Sequence, residues 1–187
     1  KFMGSGMLPP GAYVTLEHEF ILILRKGRKK EFKNAQEKQV RQNSAFFWEE
    51  RNIWFSDVWE DLKGTSQKLT GGITRERSAA YPFELAHRLI NMFSVKGDTV
   101  LDPFVGTGTT MLAAMCNERN SVGVEIDSSF AELVTSQFND IVNLSNDIII
   151  NRLKNHTDFV RERTEKGKEI KHSNDYYKFP VVTRQEV

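Results

Sequence analysis

Two carboxylates bracket a glycine turn in this chain: Val100-Leu-Asp-Pro-Phe-Val-Gly-Thr-Gly-Thr-Thr110 is followed by Gly123-Val-Glu-Ile-Asp127. Asp102, at the carboxyl end of an apolar strand, can accept a hydrogen bond from an ammonium group, directly or through water. Gly106 and Gly108 allow a tight turn and let backbone approach a ligand with no Cβ in the way. Thr109 and Thr110 open the next helix, where free amides and hydroxyls can meet a carboxylate. Glu125 ends the following strand, 23 positions after Asp102, where it can accept both hydroxyls of a ribose. The chemistry implied is capture of a small cofactor with a nucleoside end and an amino-acid end.

Three other readings of the turn are weaker. A nicotinamide dinucleotide fingerprint wants a third glycine where Met111 stands, and has no use for Asp-Pro-Phe ahead of the turn. A phosphate-binding P-loop needs a lysine after its last glycine, where Thr109 stands. A plain strand–helix turn without a ligand explains a lone Gly-x-Gly, but not the acid before it, the paired threonines and the acid after it.

The flanking sequence supplies the elements that hold these residues. Pro82 suits the first position of a helix carrying Leu85, Ala86, Leu89, Ile90 and Phe93 at helical spacing, with Gly97 as its stop. Thr99 to Leu101 reads as a buried strand, Thr109 to Glu118 as a helix, and Ser121 to Ile126 as the second strand. Ser128 or Ser129 can cap a further helix bearing Phe130, Leu133, Val134, Phe138, Ile141 and Val142. Beyond Asn151 the chain is charged, as a solvated helix or tail would be.

Upstream, residues 1 to 11 read as a loop, and Glu19 to Leu24 is an apolar run suited to an inner strand of a mixed sheet. Residues 25 to 43 are strongly basic, either a mobile loop or an exposed helix, and Phe46, Phe47, Trp48, Trp54, Phe55 and Trp59 then crowd together. Lys63 to Arg77 carries Gly64, Gly71 and Gly72 and reads as a flexible stretch. The 187 residues suffice for one domain with a core, and 39% hydrophobic with 27% charged residues is ordinary for a globular protein. No apolar run reaches the ~20 residues of a membrane span, and the start does not read as a signal peptide. A net charge of +1 confines any nucleic-acid surface to a local patch. The single cysteine, Cys116, excludes an intrachain disulfide and a cysteine metal cluster, and its apolar helical setting suggests a buried structural thiol. The chain begins at Lys1 without a methionine, as a trimmed, cleaved or partly observed polypeptide would.

The string Asp-Pro-Phe-x-Gly-x-Gly-Thr-Thr resembles the cofactor motif of the DNA amino-methyltransferases, which methylate exocyclic base nitrogens with S-adenosyl-L-methionine. Ser78-Ala-Ala-Tyr-Pro-Phe-Glu-Leu85 is similar to the family's tenth motif, although its His-Pro-x-x-Lys-Pro wording is lost; Glu17 to Gly27 looks like the strand of the eighth. This order matches the permuted β class, in which the catalytic half comes first. The resemblance implies an α/β, Rossmann-like methyltransferase fold, incomplete because only the carboxy-terminal half of the permuted domain is present. It implies cofactor contacts from Tyr81, Pro82, Asp102, Pro103, Phe104, Gly106, Gly108, Thr109, Thr110, Glu125 and Ile126. The organisation expected is 1–27 from the catalytic-side sheet, 28–75 for target recognition, 76–151 as the cofactor unit and 152–187 as a charged helix or tail.

The family's catalytic tetrapeptide, a polar residue followed by Pro-Pro and an aromatic, does not occur; Leu8-Pro9-Pro10-Gly11 has neither flank. No catalytic residue is therefore expected in this chain, which is either an enzyme part awaiting its amino-terminal half or a catalytic subunit, or a cofactor-binding module without transfer. The target would be adenine N6 or cytosine N4 of double-stranded DNA in restriction-modification, in a prokaryotic cytoplasm at the nucleoid, without a metal. Open strand edges would favour association with the absent half or with a second copy. By the same resemblance Arg25, Lys26, Arg28, Lys29, Lys30, Lys33, Lys63, Ser66 and Gln67 are candidates to meet DNA. Without it, the basic run is equally a solvated face, and the aromatics are chiefly core, Trp54 and Trp59 above all. His18 and His87 read as structural, and His156 and His172 as residues of a polar tail without evident chemistry.

Overall fold

The computed structural model describes residues 18–63, 81–174 and 178–183. The chain divides into a short unit, Lys1–Glu31, and a larger one, Phe32–Val187. In the short unit the expected strand over Glu19 to Leu24 does not form, and Leu22 and Leu24 are 83% and 90% exposed. A strand exists only as a partner in a ladder, and the described residues of this unit hold no second strand.

The larger unit starts with helix α1 (Ala35–Asn43), fixed by a capping box in which Asn34 accepts from the Glu37 amide and Glu37 accepts from Asn34. It places part of the basic run on a helix. Helix α2 (Trp48–Trp54) carries the aromatic cluster, which packs as expected: Trp54 is buried against Phe46 and the edge of His87, and the Trp59 indole donates to the Trp54 carbonyl.

At the centre of the larger unit is a strand–helix–strand unit. Helix α3 (Phe83–Phe93) leads to strand β1 (Thr99–Asp102), then helix α4 (Thr109–Cys116) and strand β2 (Asn120–Gly123). The strands are parallel, with Leu101 beside Val122 and Asp102 beside Gly123. Ala113 and Ala114 have no exposed surface and let α3 approach closely through Ala86 and Ile90, with Phe83 and Val100 closing the cluster. Both helices thus cover the Val100 face, while Leu101, Val122 and Val124 on the other face are 64%, 51% and 53% exposed. The expected buried strand is therefore half-covered, because the described residues supply helices to one side only. Pro82 is the N-cap of α3 rather than its first residue, and α3 ends at Phe93; Gly97 (φ +81°) makes the turn into β1 instead.

Helix α5 (Phe130–Gln137) follows without a serine cap: Ser129 gives its amide and hydroxyl to Asp127 rather than accepting from the helix. A 3-10 turn leads to α6 (Ile141–Glu165), and two short strands, β3 (His172–Ser173) and β4 (Pro180–Val181), pair antiparallel. The charged segment after Asn151 is not simply solvated, because Arg152 pairs with Glu50 at 2.5 Å and His156 is 1% exposed. Cys116 is half-buried, and burial raises its thiol above the usual range.

Candidate cofactor site

Asp102 stands where β1 ends, and everything it accepts comes from the elements that follow or flank it. Its Oδ1 takes the Phe104 amide at 2.9 Å; its Oδ2 takes the Thr110 hydroxyl at 2.5 Å and lies 3.2 Å from the Tyr81 hydroxyl. Tyr81 and Thr110 are also hydrogen-bonded to each other. Burial holds the Tyr81 phenol above its ordinary pKa, so it is a donor at neutral pH.

The turn beyond Asp102 is anchored to the second strand. Val124 donates to the Asp102 carbonyl at 2.9 Å, and Val105 donates to the Val124 carbonyl at 3.0 Å, so the loop stays on the sheet after β1 ends. Gly106 and Gly108 sit at φ +52° and +90°, in the region L side chains avoid, and Gly108 is the N-cap of α4. A Cβ on Gly108 would also stand 3.0 Å from Val134. Gly106 has no such neighbour: a Cβ there would meet only the Phe104 carbonyl, at 4.0 Å, leaving space open beside the backbone.

Glu125 closes the arrangement. Its Oε2 accepts from the Gly106 amide at 2.9 Å and its Oε1 from the Asp127 amide at 3.0 Å. A carboxylate offers about four lone-pair positions, so two remain for a ligand. Phe104 and Ile126, 87% and 100% exposed, project from the turn and from the residue after Glu125. Thr109 and Thr110 form the first turn of α4, as expected, and Pro82 caps α3 directly after Tyr81. Asp102, the glycine turn, Thr110, Tyr81 and Glu125 thus form one connected group.

Sequence reasoning misses three supports of this site. Gln137 donates to the Thr107 carbonyl at 2.7 Å, pinning the turn from α5. Gly123 lies under the turn, where a Cβ would come within 2.7 Å of Val105 Cγ2 and 2.6 Å of Met111 Sδ. Arg88, 5% exposed on α3, is clamped by Asp61 and Glu84 with its guanidinium over Trp59, fixing α3 to the segment after α2. Only Gly123 carried a local signal, a glycine inside a strand.

The structure places the candidate DNA residues differently from one another. Arg25, Lys26, Arg28, Lys29 and Lys30 are exposed in the first unit, and Lys33 and Lys63 are exposed in the second. Ser66 and Gln67 lie outside the described residues.

His156, read from sequence as a polar-tail residue, is a buried junction. Its Nδ1 faces Glu49 at 2.8 Å, its Nε2 faces the Pro180 carbonyl at 2.8 Å, and its ring stacks on Phe47 at 4.0 Å. His87 is structural as expected, bonded to Asn117 at 3.0 Å, and burial lowers its pKa to about 4.

Comparison with known proteins agrees with this geometry. A family profile described as DNA methylase matches residues 2–136. The Type II methyltransferase M.MthZI of Methanothermobacter thermautotrophicus is 58% identical over 186 residues, 100% of this chain and 51% of that protein. M.MjaI of Methanocaldococcus jannaschii is 50% identical over 133 residues, 71% of this chain and 42% of that protein. A Thermus thermophilus protein described as a DNA modification methylase, solved in complex with S-adenosyl-L-methionine, superposes with a TM-score of 0.58 at 36% identity. That match covers 71% of this chain and 48% of the other. The chain thus spans about half the length of these relatives. The Asp102 turn, β2 and Glu125 all lie inside the matched region, and the chain belongs to the DNA methylase family of N6 and N4 methyltransferases.

Proposed function

We propose that this chain is the S-adenosyl-L-methionine-binding and target-recognition part of a site-specific DNA methyltransferase that modifies adenine N6 or cytosine N4, as in restriction-modification. The observation that carries the proposal is the Asp102–Glu125 pair: Asp102 ends β1, Glu125 lies two residues beyond the parallel β2, and their carboxylates take the Phe104 and Gly106 amides of the same turn. The residues fit such a cofactor. Asp102 keeps acceptor capacity for an ammonium, Glu125 keeps two lone-pair positions for ribose hydroxyls, and the open side of Gly106 admits a ligand against backbone. The first turn of α4, with Thr109 and Thr110, suits a carboxylate. The exposed side chains of Phe104 and Ile126 suit the faces of an adenine; Pro82 caps α3 after Tyr81, and the exposed Pro103 follows Asp102, as the resemblance requires.

The cofactor supplies a methyl group on a positively charged sulfur. This chain's own residues hold and align. The groups that grip the target nitrogen belong to a Pro-Pro-aromatic tetrapeptide that occurs nowhere in the sequence, and base flipping is needed for access. We assign those groups to a complementary part, in the same polypeptide or in a separate subunit. The uncovered apolar face of Leu101, Val122 and Val124 supports this, because a two-stranded sheet is marginal alone. A second copy could cover the same face.

Residues 1–27 would then belong to the catalytic-side sheet, 28–75 to target recognition, 76–151 to the cofactor unit and 152–187 to a carboxy-terminal helix and tail. Exposed Arg25, Lys26, Arg28, Lys29, Lys30, Lys33 and Lys63 suit phosphate contacts with double-stranded DNA. Among the described residues no helix is long and apolar enough to cross a membrane. DNA modification would place the enzyme in a prokaryotic cytoplasm, at the nucleoid.

A tritiated-methyl transfer assay on duplex DNA tests the proposal. This chain alone should transfer nothing, and adding the tetrapeptide-bearing part should start transfer. Robust transfer by residues 1–187 alone would mean the catalytic centre is misplaced. No transfer by the reconstituted pair, with cofactor bound, would favour a binding module.

A further inference from the structure

We propose that Tyr81 is a positioning residue of this site, whose hydroxyl orients Thr110 and through it fixes which oxygen of Asp102 is open to an incoming ammonium group. The inference rests on the cofactor reading above and adds a role for a side chain that need not touch the ligand. Tyr81 precedes α3, Asp102 ends β1 and Thr110 lies in the first turn of α4, so three elements meet at one hydroxyl cluster.

The relative lengths of the three contacts give the order of the chain. The Asp102 carboxylate only accepts, and Thr110 has one proton, which goes to Asp102 Oδ2 at 2.5 Å. The Tyr81 phenol has one proton and two acceptors in reach, Asp102 Oδ2 at 3.2 Å and the nearer Thr110 oxygen; it serves the nearer, and the sequence runs Tyr81 to Thr110 to Asp102. Each donor in such a chain polarises the next. Asp102 Oδ2, with the Thr110 hydroxyl on it and the Tyr81 oxygen 3.2 Å away, is crowded. Oδ1 carries only the Phe104 amide and keeps a position free. An ammonium group is thereby directed to Oδ1.

Without the phenol, the Thr110 hydroxyl loses the donor that holds its rotor, and a threonine in the first turn of a helix has backbone carbonyls to turn toward. Oδ2 would then be intermittently bare and the carboxylate free to swing. The phenol of Tyr81 remains protonated because burial opposes its ionisation.

The test is calorimetric titration of the full chain and its Tyr81→Phe, Thr110→Val and double variants, each checked for an unchanged thermal melt. The probes are S-adenosyl-L-methionine and 5′-methylthioadenosine, which keeps the ribose and adenine but has no ammonium group. Tyr81→Phe should weaken the first about five- to tenfold and leave the second within about twofold. The double variant should bind no more weakly than Thr110→Val, because both changes break one chain. Equal weakening of both probes, no weakening of either, or additive losses in the double variant would overturn the proposal. If the unaltered chain binds neither probe, the cofactor reading itself falls, an outcome distinct from a failed Tyr81 effect.

Discussion

Glu125 accepts a hydrogen bond from the amide of Gly106 at 2.9 Å, tying the end of the second strand to the middle of the glycine turn. The acid proposed to hold the ribose therefore also shapes the glycine turn. Glu125→Gln should retain part of this link through its carbonyl oxygen, whereas Glu125→Ala leaves the Gly106 and Asp127 amides without it. Glu125→Ala should speed hydrogen exchange at the Gly106 amide and lower stability by about 1–2 kcal/mol. Exchange measured by NMR on both variants checks this, and unchanged protection at Gly106 would show that the bond does not hold the turn.

Gly123→Ala should disturb the same turn from beneath. The new methyl would lie 2.7 Å from Val105 Cγ2 and 2.6 Å from Met111 Sδ; Met111 can move, but Val105 holds the turn. A loss of roughly 1–3 kcal/mol is expected from overpacking. Gly106→Ala has room for its methyl but not the favoured backbone angle, and should cost about 1–2 kcal/mol. Thermal melts of both variants test this; a Gly123→Ala protein as stable as the parent would mean that the turn yields without cost.

Two buried histidines should give stability opposite dependences on pH. Burial lowers His87 to about 4, so the unfolded chain takes up a proton more readily than the folded one. Stability from this residue is present above about 6.5 and is lost as pH falls toward about 4. His156 faces acceptors at both ring nitrogens, and although burial opposes its charge, the bonds to Glu49 and the Pro180 carbonyl raise its pKa overall. Its contribution is present below the ordinary histidine value and is lost as pH rises through the raised one. His156→Phe should remove the alkaline loss and leave the acid loss. Urea titrations across pH would show it, and an alkaline limb unaffected by the substitution would contradict the assignment.

The basic residues separate by type of contact. Neutralising Lys26 and Lys29 together should weaken binding to cognate and scrambled duplexes alike, by about one unit of log–log salt slope per lost phosphate contact. A variant of the reconstituted protein that keeps the parental slope would make this run a solvated face.

The strand–turn–helix–strand unit was legible because its signals are local. Asp102, the two glycines, the threonines and Glu125 lie on one strand–turn–helix–strand, and spacing alone sets them together. Properties decided by distant partners were not. Glu19 to Leu24 has the composition of a strand, but no composition provides the neighbour a ladder needs. Nor does any local pattern reveal that His156 meets Glu49, 107 positions earlier, so a residue in a charged stretch turns out to be buried. Gln137 likewise reaches Thr107 across 30 positions. Ser129 shows a smaller limit: a residue suited to cap a helix can be taken first by a neighbouring carboxylate, here Asp127.

The most direct test of the central claim is a calorimetric comparison of S-adenosyl-L-methionine, NAD and ATP on the folded chain and its Glu125→Ala variant. S-adenosyl-L-methionine alone should bind, and the substitution should weaken it by about 1.5–3 kcal/mol, the cost of losing hydrogen bonds to a charged acceptor. Binding of S-adenosyl-L-methionine with unchanged affinity in the variant, or equal binding of the three ligands by the parent, would contradict the assignment of the Asp102–Glu125 site.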